Sequence, residues 1–309
     1  MNNINLKSID NLLNVIDEKY TKSYQGKLIS HYTNINSLIS IISTGHFWAS
    51  NSMFLNDKSE IIHLKNIIKK NIKRSFPKED AAEFNTWVLK LFNSVINQIS
   101  KNTFIISFST EHDYLTLWSN YSFNYGCSMN LSRNDIISNI DINTPSILSN
   151  NIITDHGLVI YDNSIKSKIV NEYLEILYSL CKITPLRSNE EIESNKWILP
   201  IIKRIFTRLF MTASLTKDKY FESEKEYRFV CNVDVKSDPS LLHFRESNGL
   251  IIPYVEVKSL FRNDKLPIIS ITIGPRNSVE KAKTGLRDFL NSKGYTNVKI
   301  LKSKIPLRY

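Results

Sequence analysis

The chain has few of the residues on which most single-motif chemistries depend. Only 8 of its 309 residues are glycine, and none are spaced as GxGxxG, so the glycine turns of a dinucleotide-binding βαβ unit are missing. The run GxxxxGK[ST] is absent too, which excludes a phosphate-cradling P-loop. The three cysteines, Cys127, Cys181 and Cys231, are odd in number and form no CxxC pair, so neither a disulfide framework nor a zinc site is indicated. Cys231, inside an apolar strand pattern, reads as core. The six histidines contain no HExxH pair, which removes the commonest zinc-hydrolase signature. No apolar run approaches a bilayer span and no charged-then-apolar leader opens the sequence, so the expectation is a cytoplasmic protein without a membrane partner. Internal repeats and low-complexity linkers are also missing.

What is present is a sizeable core and a surplus of positive charge. Hydrophobic residues make up 42% of the chain, enough to exclude global disorder. Forty basic residues against thirty acidic ones give a net charge of +10. Such a surplus favours polyanions, so nucleic acid is an expected partner, although many lysine-rich proteins never touch it.

Apolar positions Leu6, Ile9, Leu12, Leu13 and Ile16 recur with helical period, predicting a helix over 4–20. Residues 59–74 and 79–99 read as two more amphipathic helices, the second opening just after Pro77. Strands are expected at 103–109, 126–131, 156–161, 226–234, 249–257, 268–273 and 297–302, with a helical turn at 114–121 and a helix at 277–292. Long helices are expected at 164–183 and 189–216. Strands run from start to end, with helices between only some of them. This favours a mixed α+β sheet over a doubly wound parallel one. The chain (1–309) thus reads as one elaborated α+β domain with helical insertions at about 59–100 and 164–216, either of which offers a surface to a protein partner.

The most telling stretch is 28–57, LISHYTNINSLISIISTGHFWASNSMFLND, a strand, polar turn, short helix and strand in one compact unit. His31 and Tyr32 at a strand end suit a ribose and a flat ring, which makes a nucleotide, NAD in particular, the leading ligand. Glu224, Glu226 and Arg228 alternate into a strand, so they share a face with Tyr227 and Phe229 on the other. Two carboxylates on one face can divide work between holding a hydroxyl and stabilising positive charge. A salt-bridged solvent edge is the commoner fate of such charges. Ser107 and Ser109 close one strand, and Trp118 and Tyr121 follow on a short helix, where they either line a nucleotide pocket or belong to the core. Asp57, Glu60 and Asp113 are a distant set of magnesium ligands for a nuclease, but Asp57 fits a helix N-cap better.

Five blocks, HYTNINSLISIISTGHFWASNSMFLNDKSE (31–60), FSTEHDYLTLWSNYSFNYGCSMNL (108–131), ESEKEYRFV (222–230), ITIGPR (271–276) and SKIPLRY (303–309), together resemble the bacterial domain-of-unknown-function family 2971, with both insertions outside the resemblance. The first block is also similar to the NAD-binding start of the DNA-modifying ADP-ribosyltransferase toxins, whose fold is a mixed, largely antiparallel sheet. That resemblance implies that His31 binds a ribose hydroxyl of NAD, with Thr33 supporting and Tyr32 flanking it. It also implies that Glu226 stabilises an oxocarbenium-like transition state, with Glu224 as accessory acid. Trp118 and Tyr121 become an aromatic shelf, with Ser107 in the pocket wall and Arg228 facing phosphate. Where those toxins carry an arginine, this chain has Asn56–Asp57.

The expected function is therefore an ADP-ribosyltransferase-like enzyme. It would use NAD as substrate and transfer ADP-ribose to a macromolecule such as nucleic acid, in a toxin or phage-defence setting implied by resemblance. The alternatives are an NAD glycohydrolase and a non-catalytic nucleotide- or nucleic-acid-binding sensor or adaptor.

Overall fold

The computed structural model describes residues 6–20, 24–55, 60–122, 125–139, 152–183, 198–247, 249–258, 265–277 and 279–306. Its helices are α1 (Leu6–Tyr20), α2 (Ile35–Thr44), α3 (Glu60–Ser75), α4 (Lys78–Asn102), α5 (Leu115–Tyr121), α6 (Arg133–Asn139), α7 (Asn163–Ile183), α8 (Ile198–Ser214) and α9 (Val279–Ser292). Its strands are β1 (Leu28–Thr33), β2 (His46–Asn51), β3 (Thr103–Ser109), β4 (Cys127–Ser132), β5 (Ile152–Leu158), β6 (Glu226–Val233), β7 (His243–Ser247), β8 (Leu250–Lys258), β9 (Ile268–Ile273) and β10 (Lys299–Lys302).

The strands join into one sheet in the order β10-β9-β4-β1-β3-β2-β8-β7, with β6 branching from β3 and carrying β5. Every pairing is antiparallel except β9 with β10. The mixed, mostly antiparallel α+β architecture expected from the sequence is therefore present. The sheet has an internal split. β6 pairs with β3 along its whole length. On the opposite edge of β3, β2 pairs only at Phe104 and Ile105, and β1 only at Ser109. β1 and β2 both run antiparallel to β3, hence parallel to each other, and they diverge beside residues 106–108. Two parallel strands need a crossover, and α2 supplies it. Asn34 caps its start by accepting from the Ser37 N–H at 2.8 Å, and Gly45 ends it at φ 71°, donating to the Ile41 carbonyl. Glycine takes that left-handed conformation without steric cost.

The sheet separates two cores. Ile29, Phe47, Phe104, Phe108, Met129, Tyr227 and Phe229 fill one face, the aromatic face, under α2 and α9. On the other face Ile105 and Val230 meet Met211 and Leu215 at the end of α8, and beyond them α1, α3, α4, α7 and α8 share a core of their own. The two expected insertions thus pack with α1 into one helical lobe. Arg204 of α8 bonds Asp10 of α1 at 2.7 Å, and Arg208 pairs with Asp17.

Some expectations shift. The strand read at 156–161 lies at Ile152–Leu158: Val159 still donates to the Glu226 carbonyl at 2.9 Å, and the chain then turns away, Ile160 bridging Thr216 instead. The apolar run was buried by that bridge as well as by the sheet. Of the helix expected at 189–216, residues 198–214 are helical, and 189–197 lie outside the described residues. α6 and the polar edge strand β7 were not anticipated. Among the described residues no helix is long and apolar enough to cross a membrane.

Gly126, which leads into β4, is needed for close approach. A Cβ there would lie 2.1 Å from the Thr33 carbonyl oxygen and 2.8 Å from Ser122 Cβ. Gly126→Ala is therefore expected to destabilise the protein by about 1–3 kcal/mol through forced backbone movement. Urea unfolding should show a lower midpoint at unchanged slope; an unchanged midpoint would contradict the contact.

Candidate functional site

The split gives β3 an unusual residue in Ser107. Its carbonyl, on the edge that neither β1 nor β2 covers, meets Nδ1 of His31 at 3.0 Å. Its side chain, in register with Arg228, lies on the face that carries Glu226 and helps to lower the Glu226 pKa. Two residues far apart in sequence thus flank one serine from different directions. His31 lies edge-on to Phe47 and is tilted against Phe108, both at 5.5 Å between ring centres, on the aromatic face. Glu226 and Arg228 point to the helical face, in register with Ser109 and Ser107.

On that face the expected carboxylate pair is assembled and buried, not solvated. Glu224 ends a short 3-10 turn and Glu226 begins β6, with Lys225 between them in the left-handed region at φ 44°. Such a backbone costs a β-carbon-bearing residue about 1–2 kcal/mol. Hydrogen bonds from Thr110 N–H to the Lys225 carbonyl, 2.9 Å, and from Ser109 Oγ to the Glu224 carbonyl, 2.7 Å, hold it in place. Glu224 thus lies in the turn that leads into β6, beside Glu226 at the strand's first position.

One cation bridges the pair. Lys217 Nζ lies 2.5 Å from Glu224 Oε2 and 3.3 Å from Glu226 Oε2. Tyr121 donates its hydroxyl to Glu224 Oε1 at 2.8 Å. Arg228 gives Nε to Glu226 Oε1 at 3.1 Å and Nη1 to the Ser214 carbonyl at 2.6 Å. The Tyr161 hydroxyl accepts from the Glu226 backbone N–H at 3.0 Å. Lys217, Glu224, Glu226 and Arg228 are all at most 6% exposed. Lys217 was missed by sequence reasoning, because it sits in an ordinary polar turn, Thr216-Lys217-Asp218, whose closure onto β6 has no local signature.

Burial on its own would raise the Glu226 pKa. The charges of Arg228 and Lys217, with hydrogen bonds from Arg228 and Ser107, outweigh it and hold the group at about 2, so it is ionised throughout the physiological range. His31 shifts toward the neutral form. Burial lowers its pKa, the Ser107 carbonyl opposes this, and Arg245 adds to it. A carbonyl only accepts, so Nδ1 carries the proton and Nε2 is left as the acceptor.

The other expected residues are placed differently. Trp118 is fully buried, edge-on to Tyr32 at 4.9 Å, with Nε1 bonded to Asp113 at 2.7 Å. It is core and not an exposed shelf. The Tyr32 hydroxyl is taken up by Glu111 and Tyr114 backbone groups, both at 3.1 Å. Thr33 is buried at the β1 terminus, its carbonyl against Gly126. Asn56, Asp57 and the Glu60 side chain lie outside the described residues. Asp113 is engaged by Trp118, Ser303 and the Lys304 N–H. Among the described residues no group of three or more His, Cys, Asp or Glu is arranged to hold a metal. Cys127 and Cys231 are buried, free core thiols.

No curated protein and no solved structure gives a significant match to the chain. Residues 117–229 match a family model described as a protein of unknown function, DUF2971. The match runs from α5 to β6 and includes the second helical insertion, while the blocks at 31–60, 271–276 and 303–309 lie outside it. The segment that carries Tyr121, Lys217, Glu224, Glu226 and Arg228 is therefore the part of this chain that is similar to the DUF2971 family.

Proposed function

We propose that this chain is an ADP-ribosyltransferase-like enzyme that binds NAD at the split beside Ser107 and cleaves its nicotinamide–ribose bond. The observation that carries the reading is that His31, bonded to the Ser107 carbonyl, and the ionised Glu226, on the face of the Ser107 side chain, lie on two sides of the same stretch of β3. Since they approach from opposite faces, a ribose that touches both has to enter through the gap between β1 and β2. In this scheme Nε2 of His31 accepts from a ribose hydroxyl. The C1′–N bond breaks, nicotinamide leaves with the electron pair, and positive charge develops on the sugar near the ionised Glu226. The acceptor nucleophile then bonds C1′ and gives up its proton. A macromolecular acceptor makes the chain a transferase, and water makes it a glycohydrolase.

One observation favours the non-catalytic alternative, a nucleotide-binding sensor or adaptor. All four oxygens of Glu224 and Glu226 already accept from Tyr121, Lys217 or Arg228, so the cluster is neutral as a whole. The test is nicotinamide release from NAD by the purified protein, alone and with RNA, DNA or lysate. Turnover that is lost in Glu226→Gln supports the enzyme. Folded wild-type protein that binds NAD without turnover supports the sensor.

A further inference from the structure

Two carboxylates held side by side in a dry sheet face repel each other, and such a pair ordinarily shares a proton. Here a single ammonium lies between them. Lys217 is fixed by more than its charge partners. Its N–H donates to the Ile160 carbonyl at 3.2 Å, its own carbonyl accepts from Lys166 Nζ at 2.7 Å, and its ammonium sits 4.6 Å from the Phe221 ring centre. We infer that Lys217 is the positioning residue of this site: its ammonium ties Glu224 Oε2 to Glu226 Oε2, fixes the two carboxylates beside each other and offsets their mutual repulsion. The inference rests on the NAD-cleaving reading for its role in catalysis, although the bridge itself exists with or without turnover.

The groups that face this ammonium come from several elements. Glu224 precedes β6, and Glu226 and Arg228 belong to it. Lys166 comes from α7. His63 of α3 and Asp218 line, with Lys166 and Lys217, a cavity of about 20 Å³. Tyr121 and Tyr161 bond the pair from its other sides. Among these, Lys217 touches both carboxylates, and Arg228 reaches Glu226. With Lys217 replaced by methionine, the pair has one cation for two charges, and a proton enters it at higher pH.

The experiment follows kcat for NAD cleavage against pH in wild type, Lys217→Met and Lys217→Arg. The same proteins, ¹³C-labelled at glutamate carboxyls, are titrated by NMR. The acid limb of Lys217→Met is expected to move up by at least about one pH unit, with a matching new carboxyl titration. Lys217→Arg, which keeps the charge, should stay near wild type. Adding Glu224→Gln to Lys217→Met removes the repulsion and should return the limb to its wild-type place; this double variant also serves if the single one does not fold. A Lys217→Met enzyme that is merely slower, with an unmoved limb and unmoved carboxyl signals, overturns the inference. Wild-type protein with no turnover overturns the NAD reading instead, and the NMR titration alone then decides the role of Lys217. A new titration step in Lys217→Met upholds the role, and its absence defeats it.

Discussion

Arg228→Met is expected to lower the folding free energy by about 3–5 kcal/mol, the usual cost of removing one partner from a buried ion pair. Arg228 is 1% exposed, and its guanidinium satisfies both Glu226 and the Ser214 carbonyl. Methionine replaces much of the aliphatic volume but none of the donors. Glu226 then shares Lys217 with Glu224, and the last turn of α8 loses its tie to β6. The loss carries a pH signature. The folded pKa of Glu226 is depressed from 4.5 to about 2, so its ionised form contributes stability that is fully present above the unfolded value. That contribution is lost as pH falls through the window between the two. A gap of this size corresponds to about 3 kcal/mol. The wild type should therefore keep this contribution until pH drops below the normal glutamate range, whereas Arg228→Met should lose it at higher pH. Denaturant midpoints measured across that window check both statements. Equal midpoints for the two proteins would show that the pair contributes nothing.

Glu226→Gln is expected to slow NAD cleavage by roughly 100–1,000-fold, the effect typical of removing one well-placed electrostatic group from a developing charge. Glutamine keeps the shape and an acceptor for Arg228, so binding should change far less than turnover, and the split between KM and kcat is the informative readout. The change also removes a carboxylate from Lys217, so circular dichroism and a melting curve have to accompany the kinetics. Glu226→Asp keeps the charge one methylene further back and should fall between the two. If Glu226→Gln turns over like wild type, the carboxylate is structural and the split binds its ligand without this group.

The sequence announced the elements better than their meeting. Hydrophobic period alone marked α1, α3 and α4, because that signal is local. β7 escaped because an edge strand with exposed His243 and Phe244 has no apolar face to alternate. The pairing of Glu226 with Arg228 followed from strand alternation, and their burial did not, since charge runs more often face water. Trp118 was ambiguous for a similar reason. A Trp and a Tyr three apart on a short helix are more often core than a shelf, and the contact with Tyr32 that buries Trp118 lies far away in the chain. Lys217 had no local signal at all, and it reaches the carboxylates only because α8 ends where β6 begins.

That last geometry bears on modularity. The helical lobe looks separable, a bundle with its own core inserted between strands. Yet the final turn of α8 supplies the Ser214 carbonyl to Arg228, and the turn that follows it delivers Lys217 to the glutamates. A sheet trimmed of residues 163–217 would retain His31, Ser107, Glu226 and Arg228, and lose both the Lys217 ammonium and the Ser214 carbonyl that anchors Arg228. The lobe is thus part of the site's scaffold, and any shortened version meant to keep the chemistry has to supply a replacement cation in the same place.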